Sequence, residues 1–122
     1  MFSSHLEAEK QRLLDCIEAI RKSGAVAPAR YFLTTTTTTS EAGKTYCYAR
    51  LVKEESVGKQ TVRPLGRVGS IEHRAWERSI ARRDAIVELE QQLKLLDELM
   101  QRQQERSHLV ERDFSEPKEK NY

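Results

Sequence analysis

Three arginines, Arg74, Arg78 and Arg82, recur at every fourth position, the spacing that puts side chains along one face of a helix. Like charges so placed repel by roughly 0.2–0.5 kcal/mol per pair, and a polyanion relieves that repulsion. Guanidinium is also the side chain best shaped for bidentate contact with phosphate or guanine. The row belongs to a basic block. Residues 50–83 hold 9 basic side chains (Arg50, Lys53, Lys59, Arg63, Arg67, Arg74, Arg78, Arg82, Arg83) against 4 acidic ones, a net charge of +5. Residues 1–49 carry +1 and residues 84–122 carry −4, so the chain's total of +2 conceals a division. The competing reading is a solvated surface on which Glu72, Glu77 and acidic residues of a first helix neutralise the arginines. An acidic protein partner is a third.

Other chemistry is sparse. The sequence contains no G-x-S-x-G, no P-loop, no H-E-x-x-H and no dinucleotide-binding glycine pattern, so no catalytic motif points to an enzyme. His5, His73 and His108 are far apart, and neither they nor Cys16 and Cys47 have metal-ligand spacing; no metal or other cofactor is expected. Two cysteines without C-x-x-C read as reduced thiols of a cytoplasmic protein. No apolar run approaches a membrane span, and Met1-Phe2-Ser3-Ser4-His5-Leu6-Glu7 has no signal-peptide pattern. Charged residues make up 33% and hydrophobic ones 38% of the 122 residues, a surface-rich balance beside the usual ~25% and ~45–50%.

The elements that must carry the basic block follow from periodicity. Residues 4–23 read as a helix: Leu6, Leu13, Ile17 and Ile20 form a stripe, acidic residues lie in the first turn and basic ones in the last, and Gly24 is a stop. From residue 30 the period changes. Tyr31-Phe32-Leu33 runs into Thr34–Thr39, β-branched residues that favour a strand, although the far half of the run also reads as loop. Turns at 41–44 and 56–59 separate a second strand, 45–53, and a short third one, 60–65, whose Pro64 suits an edge. Alternation puts Cys47, Ala49 and Leu51 on one face of the second strand and Tyr46, Tyr48, Arg50 and Val52 on the other. The small apolar face should pack on a helix, leaving the tyrosine- and arginine-bearing face toward a partner. Thr61 and Arg63 share a face of the third strand, opposite Val62.

Ser70 is an N-cap candidate with Glu72 in the following turn. No Pro or Gly interrupts residues 71–106, which predicts a helix about 50 Å long. Trp76 and Ile80 on it read as core. Its second half carries Ile86, Leu89, Leu93, Leu96 and Met100 at 3,4-spacing, a coiled-coil-like stripe and a candidate homodimer interface. Residues 107–122 read as a disordered polar tail. The expectation is a single α+β domain over residues 1–106: an N-terminal helix, a three-stranded antiparallel β-meander over 30–65, and a long C-terminal helix.

The runs Tyr46-Cys47-Tyr48-Ala49-Arg50-Leu51 and Gly58-Lys59-Gln60-Thr61-Val62-Arg63-Pro64-Leu65-Gly66, followed by a helix, resemble the arm-type DNA-binding domain of phage and transposon tyrosine integrases. The resemblance covers residues 45–83. It implies a three-stranded sheet that enters the DNA major groove with a helix behind it, and groove or backbone contact for Tyr48, Arg50, Thr61 and Arg63. This chain differs in having a helix before the sheet and no catalytic integrase domain. A basic helical half followed by a leucine heptad half also resembles basic-zipper proteins, without the asparagine that family carries in its basic half. The reading is a small DNA-binding (or RNA-binding) regulatory accessory protein of a mobile element. Its contacts are Tyr48, Arg50, Lys59, Thr61, Arg63, Arg67, Arg74, Arg78, Arg82 and Arg83, and its long helix dimerises it. The rival is a protein–protein adaptor that uses the long helix and touches no nucleic acid.

Overall fold

The computed structural model describes residues 4–115. Helix α1 (Ser4–Ser23) is followed by strands β1 (Tyr31–Thr39), β2 (Thr45–Ser56) and β3 (Lys59–Arg67) and by helix α2 (Ile71–Ser115). The strands form one antiparallel sheet in the order β1-β2-β3. The architecture is therefore the expected α+β arrangement of helix, meander and long helix. Among the described residues no helix is long and apolar enough to cross a membrane.

The chain divides into two compact units, residues 20–86 and the combination of α1 up to Ala19 with α2 from Val87. Each unit has an apolar centre of its own. In the helical unit Leu13 and Ile17 of α1 are buried, and Lys10 Nζ reaches Asp97 of α2 at 3.1 Å. On α1 the Arg12 guanidinium pairs with Glu9 and holds that carboxyl below its usual range, while Glu9 raises Arg12 in turn.

In the unit that contains the sheet, Ala49, Leu51 and Leu65 form the core, with Tyr31, Leu33, Trp76 and Ile80 packed against it. Alternation along β2 thus sends its small apolar face toward α2, as the sequence predicts. Tyr31 and Trp76 stack with ring centroids 5.5 Å apart. The whole threonine run is strand: Tyr31 to Thr39 pairs residue for residue with Lys53 back to Thr45 without a slip. Its far half is held because Ser40 closes the turn, its N–H bonded to the Lys44 carbonyl at 2.8 Å and its hydroxyl accepting the Lys44 N–H at 3.2 Å. A partner strand supplies every second threonine with backbone bonds that a loop would leave to water.

β2 and β3 are both longer than expected, because the two-residue turn at Val57 and Gly58 lets them pair from Ser56 and Lys59 onward. Pro64 does not end β3. It lies opposite Arg50 on an edge strand, where the missing N–H faces away from the ladder.

Ser70 caps α2 as expected. Its hydroxyl accepts the His73 N–H at 3.2 Å and donates to the Leu65 carbonyl at 2.8 Å, tying the helix start to the core strand. His73 is buried, and its Nδ1 accepts the Gly69 N–H at 2.9 Å. The far end of α2 corrects the sequence reading. The helix was expected to stop at Arg106 and give way to a disordered tail, yet it continues to Ser115. Polarity misleads here: residues 107–115 contain no Pro or Gly, and a polar stretch without a breaker extends an existing helix at little cost. The remainder of the expected tail, 116–122, lies outside the described residues.

Candidate functional site

The face of the sheet opposite α2 gathers Tyr46, Tyr48, Arg50 and Val52 of β2 with Phe32, Thr34, Thr36 and Thr38 of β1, by register. Val62 and Pro64 of β3 complete it. Thr34 lies opposite Arg50, and the Thr34 hydroxyl and Arg50 Nε are buried without a hydrogen-bond partner. Such groups raise the energy of the face unless something satisfies them.

Arg67 joins this face through a defect in the ladder. β2 and β3 pair regularly from Val52↔Val62 to Arg50↔Pro64, and the register then shifts so that Tyr48 faces Arg67. One extra residue on β3 turns Arg67 away from the side of Leu65 and onto the side of Tyr48, since side chains alternate with period two. Gly66, at φ +84°, absorbs the distortion. The Arg67 guanidinium sits 4.8 Å from the centre of the Tyr46 ring. Tyr46, Tyr48, Arg50 and Arg67 therefore make one aromatic and cationic surface. Aromatic rings and guanidinium groups so placed can stack on planar groups and pair with anions.

Other expected contact residues are placed elsewhere. Thr61 and Arg63 lie opposite Lys53 and Leu51, on the α2 side of the sheet. Arg63 is 2.6 Å from Glu72 and 5.9 Å from the centre of the Trp76 ring. The sheet thus divides the four residues that the integrase resemblance groups together: Tyr48 and Arg50 share a face, and Thr61 and Arg63 share the opposite one. Lys59 is exposed at the start of β3.

The helical arginines also separate. Arg74 and Arg78 are exposed, and Arg74 Nε donates to the Gly69 carbonyl at 3.3 Å, beside the loop that follows Arg67. Arg82 is turned to the linker between α1 and β1: its Nε donates to the Ser23 hydroxyl at 3.2 Å and its Nη1 to the Ala25 carbonyl at 3.0 Å. A Cβ at Gly24 would stand 2.5 Å from Arg82 Cζ, so any other residue there would displace this guanidinium. Arg83 donates through Nη1 to the carbonyls of Pro28 at 2.9 Å and Tyr31 at 2.6 Å. These two arginines clamp the linker to the helix, which explains them without a ligand. The pull on the linker was not readable from their helical spacing.

The apolar stripe is engaged to differing degrees. Ile86 is buried, and Leu89, Leu93, Leu96 and Met100 are half-buried in the unit where Leu13 and Ile17 find their cover. Among the described residues no group of three or more His, Cys, Asp or Glu side chains is placed to hold a metal ion. Comparisons with family models, curated proteins and solved structures return no match.

Proposed function

We propose that this chain is a small nucleic-acid-binding accessory protein. It meets duplex DNA with the sheet face that carries Tyr46, Tyr48, Arg50 and Arg67, and Arg74 and Arg78 add charge from the start of α2. The observation that carries the reading is the Gly66 bulge, which moves Arg67 from the α2 side to the side of Tyr48 and Arg50. Bulges re-aim side chains at working surfaces. The likeness of residues 45–83 to integrase arm domains supports a DNA partner and a mobile-element setting. Of the resemblance's contact set this reading keeps Tyr48 and Arg50 and leaves out Thr61 and Arg63, which face α2.

Fluorescence anisotropy with a labelled 20-base-pair duplex tests the reading. Binding that weakens steeply with salt is expected. Absence of binding to duplex and single strand alike at low salt refutes it. Tight single-strand binding without duplex binding would transfer the partner from duplex to an unpaired strand.

A protein–protein adaptor has an observation of its own: Leu95 and Leu109 of α2 are 65% and 60% exposed, and Leu99 and Val110 are exposed as well. Apolar side chains in such number on one helix suit a partner helix. A pull-down insensitive to salt and to Arg50 and Arg67 replacement would favour this reading.

A further inference from the structure

The two edges of the sheet are treated differently. β3 is interrupted by Pro64, by two register shifts and by Lys59, Arg63 and Arg67, all devices that discourage a further strand. β1 has none of them. It is nine residues long, uncharged and paired to β2 without a slip.

Its hydrogen-bonding direction is fixed by its ends. The Arg30 carbonyl accepts from Glu54 N–H, and Ser40 N–H donates to Lys44. In an antiparallel ladder bonded and non-bonded pairs alternate, so the even-numbered residues between them turn their backbone groups toward β2. The odd-numbered ones turn theirs outward. The outward carbonyl of Tyr31 is already taken by Arg83. Among the described residues nothing is recorded on the outward groups of Leu33, Thr35, Thr37 and Thr39.

We infer that the β1 edge is a homodimer surface: two copies pair β1 with β1 antiparallel about a twofold axis at Thr36, extending the sheet to six strands. This register is singled out by the free groups. With Thr36 opposite Thr36, Thr35 of one copy bonds to Thr37 of the other and Leu33 bonds to Thr39, so every free outward residue of both edges gains a partner. The threonine run makes the cross-strand neighbours identical, and threonine pairs are favourable ones. The occupant is a second copy, because a twofold contact requires a surface complementary to itself and a uniform strand supplies it. The inference stands apart from the nucleic-acid reading, since it rests on backbone direction and not on the arginines.

Sedimentation velocity on the full chain over a range of concentrations, combined with cross-linking, tests it. The wild type should have twice the 14.1 kDa chain mass at high micromolar concentration. Thr35→Pro/Thr37→Pro removes only outward N–H groups and leaves the ladder to β2 intact. It should raise the dimer dissociation constant at least tenfold with an unchanged circular dichroism spectrum. In a Cys16→Ser/Cys47→Ser background, Thr36→Cys places two thiols at a non-bonded pair, about 4.5 Å between Cα atoms, within disulfide reach. It should form a covalent dimer on mild oxidation. Thr34→Cys, which faces Thr38 of the second copy, should not. A wild-type monomer overturns the inference. So does a dimer indifferent to the prolines, or one in which Thr34→Cys cross-links as readily as Thr36→Cys.

Discussion

Replacing Arg50 and Arg67 together by glutamine should change how binding responds to salt, and by a calculable amount. Each phosphate neutralised on duplex DNA contributes about 0.9 to the slope of log K against log salt, and each on a single strand about 0.7. Arg50 and Arg67 share the face that bears Tyr46 and Tyr48, so Arg50→Gln/Arg67→Gln should flatten the duplex slope by about 1.8 if each meets one phosphate. Arg63→Gln is the internal control. Its charge differs from the wild type by the same unit as a single replacement, but its guanidinium lies on the α2 side, paired with Glu72. The slope should therefore stay within about 0.3 of the wild type, well under one phosphate's worth. Anisotropy titrations from 50 to 300 mM KCl read the slopes directly, and thermal melts establish that the variants fold. Equal flattening by Arg63→Gln and by either outer-face arginine would show that only net charge matters. That outcome would refute the argument from sheet faces even if the protein binds DNA.

Three further outcomes follow from the geometry. Arg83→Ala removes two hydrogen bonds to the Pro28 and Tyr31 carbonyls, and a weaker pair with the exposed Asp84, from a side chain only 18% exposed, and should destabilise the protein by about 2–4 kcal/mol in urea unfolding, near the scale of the two charge-assisted bonds to carbonyls; a change below about 0.5 kcal/mol, the level of an ordinary surface substitution, would show that the clamp is idle. Gly66→Ala forces a Cβ into φ +84°, where it meets Ser70 Oγ and Cβ at 3.7 and 3.8 Å, ordinary contact distances, so the backbone is what objects, at about 1–2 kcal/mol; DNA affinity should fall as well, because relief of the strain lets Arg67 return to the α2 side. On α1, carbon-detected NMR should find Glu9 titrating below the ordinary carboxylate range, and Arg12→Ala should bring it back up. Since folding depresses that carboxyl, its small contribution to stability is present above the unfolded pKa and fades as pH falls through the folded one.

The elements were legible because local signals agreed with one another. The α1 stripe, the Ser70 cap, the glycine turns and the small apolar face of β2 each rest on neighbours in sequence, and each reappears in the structure. The reach of α2 to Ser115 follows from the absence of a breaker, which polarity does not reveal. The site was only half legible. Helical spacing aligns Arg74, Arg78 and Arg82, but spacing does not reveal that the linker at Ser23 and Ala25 needs a donor, and Arg82 supplies it. Pairing within the chain also consumes Arg83, whose carbonyl partners Pro28 and Tyr31 are distant in sequence, and Arg63, whose partner Glu72 was among the neutralising residues the sequence offers.

Strand parity shows how a single residue decides the chemistry of the sheet. Counted without interruption from Arg63 and Leu65, Arg67 belongs to the α2 side and would add a third basic group beside Arg63 and Lys53. It would then crowd the Trp76 region, where one guanidinium already lies over the ring. Gly66 breaks the count, and a glycine inside a strand is the sequence mark of such a break. With the break, Arg67 covers Tyr46 and stands on the face of Arg50. The +5 charge of residues 50–83 is accordingly sorted by two different means. Helical arginines near the linker are held by backbone and hydroxyl acceptors, and Arg83 also by Asp84, whereas the sheet directs Arg50 and Arg67 to the face of Tyr46 and Tyr48. Aromatic rings coincide there with positive charge, and the proposed binding face rests on that coincidence more than on the charge total.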